Sequence, residues 1–129
     1  MFITVRTKKS LGEVRQAFED AASRHKFGIM GVHDVADRLH AKGLGFNRRL
    51  YIYEVCNPNV AKRVLDANVQ IGAALPCRVS VYSDGDEIVL ETLKPTLLLS
   101  LFQTPTLEGA AEEVEQALAA MMEEAAKVE

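Results

Sequence analysis

The chain has 129 residues, 48% of them hydrophobic and 26% charged, with a formal net charge of −3. These values describe one globular domain over residues 1–129 and exclude a fibrous or low-complexity chain. At this length a domain buries about two-thirds of its unfolded surface, so a core can form without disulfides or metals.

Met1-Phe-Ile-Thr-Val-Arg6 lacks the charged region and long apolar run of a secretory leader. The longest apolar cluster, Leu97-Leu-Leu-Ser-Leu-Phe102, is far shorter than the roughly 20 residues that span a bilayer. With two cysteines and no leader, the expectation is a cytoplasmic protein with free thiols and no membrane partner. Charge is uneven: residues 1–50 carry ten basic and five acidic side chains, and the acidic excess collects near the C-terminus. The cations are scattered and lack interleaved aromatics, so no nucleic-acid partner is expected.

Phe2–Arg6 alternates as a half-buried strand, with Ile3 and Val5 on one face. Ser10-Leu-Gly-Glu13 has capping-box spacing and opens a helix with Val14, Ala17, Phe18 and Ala21 or Ala22 on one stripe, ending near Lys26. Phe27–Val32 reads as a second strand whose two glycines mark a weakness or a bulge. Asp34 is an N-cap for a short helix through Lys42, closed by Gly43. Gly43-Leu-Gly45 is better read as a helix stop than a phosphate loop, and Arg48 and Arg49 leave a small case for an anion site.

Leu50–Val55 is apolar on both faces apart from Glu54, which predicts a central strand covered on both sides. Asn57-Pro58 starts a helix with Val60, Ala61, Val64 and Leu65 as its buried stripe to about Asn68. Cys77–Tyr82 and Glu87–Lys94 are strands joined by the Ser83-Asp-Gly-Asp86 turn. Thr104-Pro105 opens the last helix, with Leu107, Ala111, Val114, Leu118, Met121 and Ala125 as its apolar stripe. The pattern predicts an α+β fold: a single mixed or mainly antiparallel sheet with helices packed on it.

At Cys56-Asn-Pro58, with Ala61 and Leu65 after it and Ile71-Gly72 leading to Leu75-Pro-Cys-Arg78, the sequence resembles domain-of-unknown-function family 302 over roughly residues 1–95. The resemblance implies a compact domain with a TATA-binding-protein-like architecture of β-α-β-β-β-β-α type and a homodimer. It implies no activity.

No complete catalytic motif is present, so catalytic residues are not assigned, and no cofactor or metal is expected. Cys56 precedes a helix N-terminus and Cys77 lies beside Arg78, positions that favour a thiolate, although buried core cysteine is the commoner case. His25, His33 and His40 lack metal-ligand spacing. Asp34, Asp37 and Glu54 are the carboxylates near strand ends that could act as a base. Tyr51 and Tyr53 share a strand face whose hydroxyls need partners, which points to a polar-edged cavity.

Tyr51, Tyr53, Cys56, Asn57, Cys77 and Arg78 are therefore the candidate binding residues. The leading functional expectation is a non-enzymatic module that binds a small apolar ligand or a protein partner. The alternative is a thiol-dependent redox enzyme or carrier using Cys56 or Cys77. Burying Leu97, Leu98, Leu99, Leu101 and Phe102 is worth about 8–15 kcal/mol, more than one short segment can realise inward, which predicts that part of it forms a homodimer interface. A right-handed crossover between parallel strands would place Cys56 and Cys77 a strand length apart, about 20 Å, and unable to pair.

Overall fold

The computed structural model describes residues 1–104 and 107–128. Five strands, β1 (Phe2–Thr7), β2 (Gly28–Asp34), β3 (Leu50–Cys56), β4 (Cys77–Asp84) and β5 (Glu87–Leu93), form one sheet in the order β1-β5-β4-β3-β2. Every neighbouring pair is antiparallel. Helices α1 (Leu11–Arg24), α2 (Val35–Ala41), α3 (Pro58–Ala67), α4 (Pro95–Ser100) and α5 (Glu108–Ala126) complete the chain, with a short 3-10 helix at Val69–Ala74. The protein is thus α+β with a single antiparallel sheet, as the sequence pattern predicts.

Local chemistry explains most boundaries. The Ser10 hydroxyl accepts from the Glu13 amide, and the Glu13 carboxylate accepts from the Ser10 amide, closing the capping box of α1. Val14, Phe18, Ala21 and Ala22 form its buried stripe. Asp34 caps α2 through the Asp37 amide, and Gly43 leaves that helix with φ +76°. Asn57 caps α3 through the amides of Asn59 and Val60. The expected stripe of α5 is buried from Leu107 to Ala125. Pro105, expected in that helix's opening, lies outside the described residues.

The core lies on one sheet face. Tyr51, Tyr53, Val55, Val79, Val81 and Leu90 point into it and meet Phe18 of α1 and Leu118, Met121 and Met122 of α5. On the opposite face Leu50, Ile52 and Glu54 are only half-buried. The expectation that β3 is covered on both sides is therefore wrong. Antiparallel hairpins need no helical crossover over the second face, so one layer of helices suffices.

The expected parallel crossover is also wrong. Val55 pairs with Cys77, and β4 runs back along β3. Helix α3 leads away from the sheet end. Asn68 then takes an extended conformation (φ −159°, ψ 105°), and its side chain caps the 3-10 helix through the Gln70 amide. The 3-10 helix packs against α3 and returns the chain to the end it left. Cys56 and Cys77 consequently lie at the same end of the sheet, both as free thiols.

Leu97–Phe102, which has no obvious place in the sequence pattern, forms most of α4 and the turn after it. Leu99 and Phe102 pack against the core, Leu98 is half-buried, and Leu97 and Leu101 face outward.

Candidate functional site

The six candidate binding residues divide between the two ends of the β3–β4 ladder. Tyr51 and Tyr53 are buried under α1. The Tyr53 hydroxyl donates to Glu19 Oε2 at 2.8 Å and accepts from Arg15 Nε at 3.0 Å. The Arg15 guanidinium lies over the Tyr51 ring, 3.7 Å from its centroid, and Arg49 donates to the Tyr51 hydroxyl at 2.7 Å. Phe18 meets the Tyr53 ring edge-on at 5.1 Å. Burial, moderated by the Arg15 hydrogen bond, pushes the Tyr53 hydroxyl up to about 12. Both tyrosines are therefore bound within the fold. The expected cavity edge beside them is instead occupied by Arg15, which the sequence pattern does not single out. Arg48 approaches Asp84 at 3.8 Å, so neither residue of the Arg48-Arg49 pair stands free for an anion.

The other end is open. Cys56, Asn57, Cys77 and Arg78 line a cavity of about 440 Å³. It lies where β3, β4 and β5 meet α3, the loop after the 3-10 helix, and α4. Val55, Val60, Val64, Leu75, Leu98 and Leu99 supply its apolar wall. Its charged lining residues are Arg78 and Glu91. Glu91 is already engaged: Oε2 accepts from Thr4 at 2.8 Å and Oε1 from Tyr82 at 3.3 Å. Leu98 and Leu99, expected in a dimer interface, line this cavity as well. Val60 and Val64 read correctly as a buried stripe, but helical periodicity carries no sign of the unfilled volume beside them.

Burial raises both thiols. Cys77 is pushed up to about 11, by burial first and by neighbouring Cys56 second, and burial alone raises Cys56. The position before the α3 N-terminus does not produce a thiolate, because Asn57 already satisfies the first-turn amides and the surroundings are apolar. Two adjacent neutral thiols are poor nucleophiles at neutral pH.

The half-exposed sheet face holds a further pair. His33 Nε2 hydrogen-bonds Glu54 Oε1, and His33 Nδ1 is buried with no partner among the described residues. A Cβ at Gly31 would lie 3.2 Å from that carboxylate oxygen, so the glycine leaves room for the pair. The His33 hydrogen bond holds the Glu54 carboxyl below its usual range, and Arg78 contributes more weakly. Asp34 caps α2 by accepting from the Asp37 amide, and Asp37 places its carboxylate in the first turn of that helix, where the helix dipole favours a negative charge. His25 pairs with Glu124 and His40 with the Phe46 carbonyl. Among the described residues, no three His, Cys, Asp or Glu side chains converge on a metal position, and no helix is long and apolar enough to cross a membrane.

An antiparallel five-stranded sheet with helices on one face defines the structural class. The family model of domain of unknown function DUF302 matches residues 3–125. The chain belongs to that family, and the match includes α4 and nearly all of α5, well beyond the roughly residues 1–95 expected from the motifs. The structure is similar to the crystal structure of an uncharacterized conserved DUF302 protein from Bacillus stearothermophilus, at 32% identity and a TM-score of 0.92, covering 96% of this chain and 97% of that one. No curated protein matches the chain.

Proposed function

We propose that the protein is a cytoplasmic, non-enzymatic binding module whose ligand is a small, mainly apolar molecule held in the cavity between the sheet end, α3 and α4. The observation that carries this reading is the cavity itself. Its volume of about 440 Å³ lies within the roughly 300–1,000 Å³ of small-molecule sites, and its walls are mostly aliphatic with few polar groups. The redox alternative is weaker, because the Cys77 thiol, pushed up to about 11, is almost wholly protonated at neutral pH.

Native mass spectrometry of protein purified from its own host tests the reading. A co-purifying small molecule that is absent from the cavity-filling variant Val64→Trp is the expected result. A cysteine adduct or a thiol-bound metal in place of such a molecule would favour the alternative.

A homodimer is the second part of the proposal. Leu97 and Leu101, one helical turn apart, are 45% and 74% exposed on the outer side of α4, which is the portion of the apolar cluster that the fold leaves uncovered. Sedimentation should show a dimer that Leu101→Asp shifts toward monomer. A strict monomer at high micromolar concentration would remove this part.

A further inference from the structure

We infer that the ligand of this cavity is an amphiphile with a carboxylate head, its apolar tail lying among Val60, Val64, Leu75, Leu98 and Leu99 and its head meeting Arg78 and Asn57. The inference rests on the binding reading above and adds the chemistry of the polar end.

The two charged lining residues are in opposite states. Glu91 has both carboxylate oxygens engaged, by Thr4 and Tyr82. Arg78 has no ion pair or side-chain hydrogen bond among the described residues, although Glu54 stands opposite it on β3. Glu54 directs its carboxylate to His33 instead.

Arg78 thus presents a planar set of donors at an apolar opening, the arrangement that suits a carboxylate. Asn57 adds to it. Its side-chain oxygen is used by the α3 cap, so its amide nitrogen is the atom left to engage a ligand, and that atom only donates. Ser80 Oγ is turned away, donating to the Glu91 carbonyl at 3.2 Å. A cationic head would meet the unpaired charge of Arg78, while the Glu91 carboxylate is held toward Thr4 and Tyr82 by their hydroxyls. An alcohol or amide head would leave the charge unmatched.

Decanoate and 1-decanol, below their aggregation concentrations, are the probes, titrated calorimetrically into the full-length protein. Decanoate should bind about tenfold tighter than the alcohol, the ratio expected from a charge-assisted hydrogen bond. Arg78→Leu should lower decanoate affinity to the alcohol's level and leave the alcohol unchanged, while Arg78→Lys keeps part of the preference. Arg78 is exposed, so its replacement should not disturb folding, and an unchanged near-UV circular dichroism spectrum checks this. Equal affinity for acid and alcohol in the wild type would overturn the head-group inference and leave the apolar cavity standing. A preference that survives Arg78→Leu would also overturn it. Binding of neither probe would overturn both the inference and the cavity reading beneath it.

Discussion

The two ends of the β3–β4 ladder are built from similar material and finished differently. At one end Tyr51 and Tyr53 turn their polar atoms toward Arg15, Glu19 and Arg49, and the space around them is filled by Phe18. At the other, Cys56 and Cys77 face a gap that α3 and α4 border without closing. The difference lies in what the covering helix delivers. Helix α1 brings a long cation and a large aromatic over its end of the ladder. Helix α3 brings Val60, Ala61 and Val64, which are too short to reach across. Side chains that demand partners make poor cavity walls once those partners arrive from the same chain.

Truncating a side chain at each end should separate the filled end from the open one. Phe18→Ala should cost about 3–5 kcal/mol in urea denaturation, as for a large fully buried side chain. Leu99→Ala, beside existing empty volume and only half-buried, should cost no more than about 2 kcal/mol. Equal losses would mean that both ends are packed alike.

Alkaline pH sharpens the contrast. The folded Cys77 thiol is raised, so its contribution is fully present below the unfolded value near 9 and is lost as pH rises through the folded value of about 11. Two pH units correspond to roughly 3 kcal/mol. Stability should therefore begin to fall just above pH 9, and Cys77→Val should remove most of that first phase, leaving the part that the raised Cys56 thiol contributes. Tyr53, raised from 10 to about 12, should produce a later decline from about pH 10 in both proteins. Stability curves of the two proteins that superimpose from pH 8 to 11 would contradict the buried, neutral thiol.

Smaller still, Tyr53→Phe should cost about 1.5–3 kcal/mol, the value of a hydrogen bond to a charged group, because the ring remains and only the contacts to Arg15 and Glu19 are lost. Gly31→Ala should have the least effect on stability, because the neighbour that must give way is the end of the Glu54 side chain. It should loosen the His33 hydrogen bond and return the Glu54 carboxyl toward its ordinary value. An NMR titration of Glu54 would show this as an upward shift, and an unchanged titration would mean that the glycine is not needed for the pair.

What could be read from the sequence follows from the range over which each feature is encoded. The Ser10–Glu13 capping box, the Asn57-Pro58 helix start and the α5 stripe are set within one or two turns, and each is legible. The direction of β4 is not. It depends on Asn68 and the 3-10 helix doubling back along α3, and no periodic pattern in Val69–Ala74 specifies that path. The candidate site is half legible for the same reason. Cys56, Asn57, Cys77 and Arg78 stand out as helix-start and strand-start residues, and they do meet in the cavity. Tyr51 and Tyr53 signal a need for partners, but whether a ligand or the fold meets it is decided by Arg15, some forty residues earlier in the chain.

The bulge in β2 has a consequence for how the molecule tolerates its own kind. Ile29 pairs with Val55 and Gly31 with Glu54, leaving Met30 as an extra, exposed residue on an outer strand that also shows Ile29 and Val32 to solvent. A regular strand with those side chains would offer an unbroken row of free amides and carbonyls to any passing chain. The extra residue puts the two halves of that row out of phase, so an incoming strand in register with one half misses the other. Deleting Met30 would restore the phase, and with it a route to open-ended strand-by-strand polymerisation.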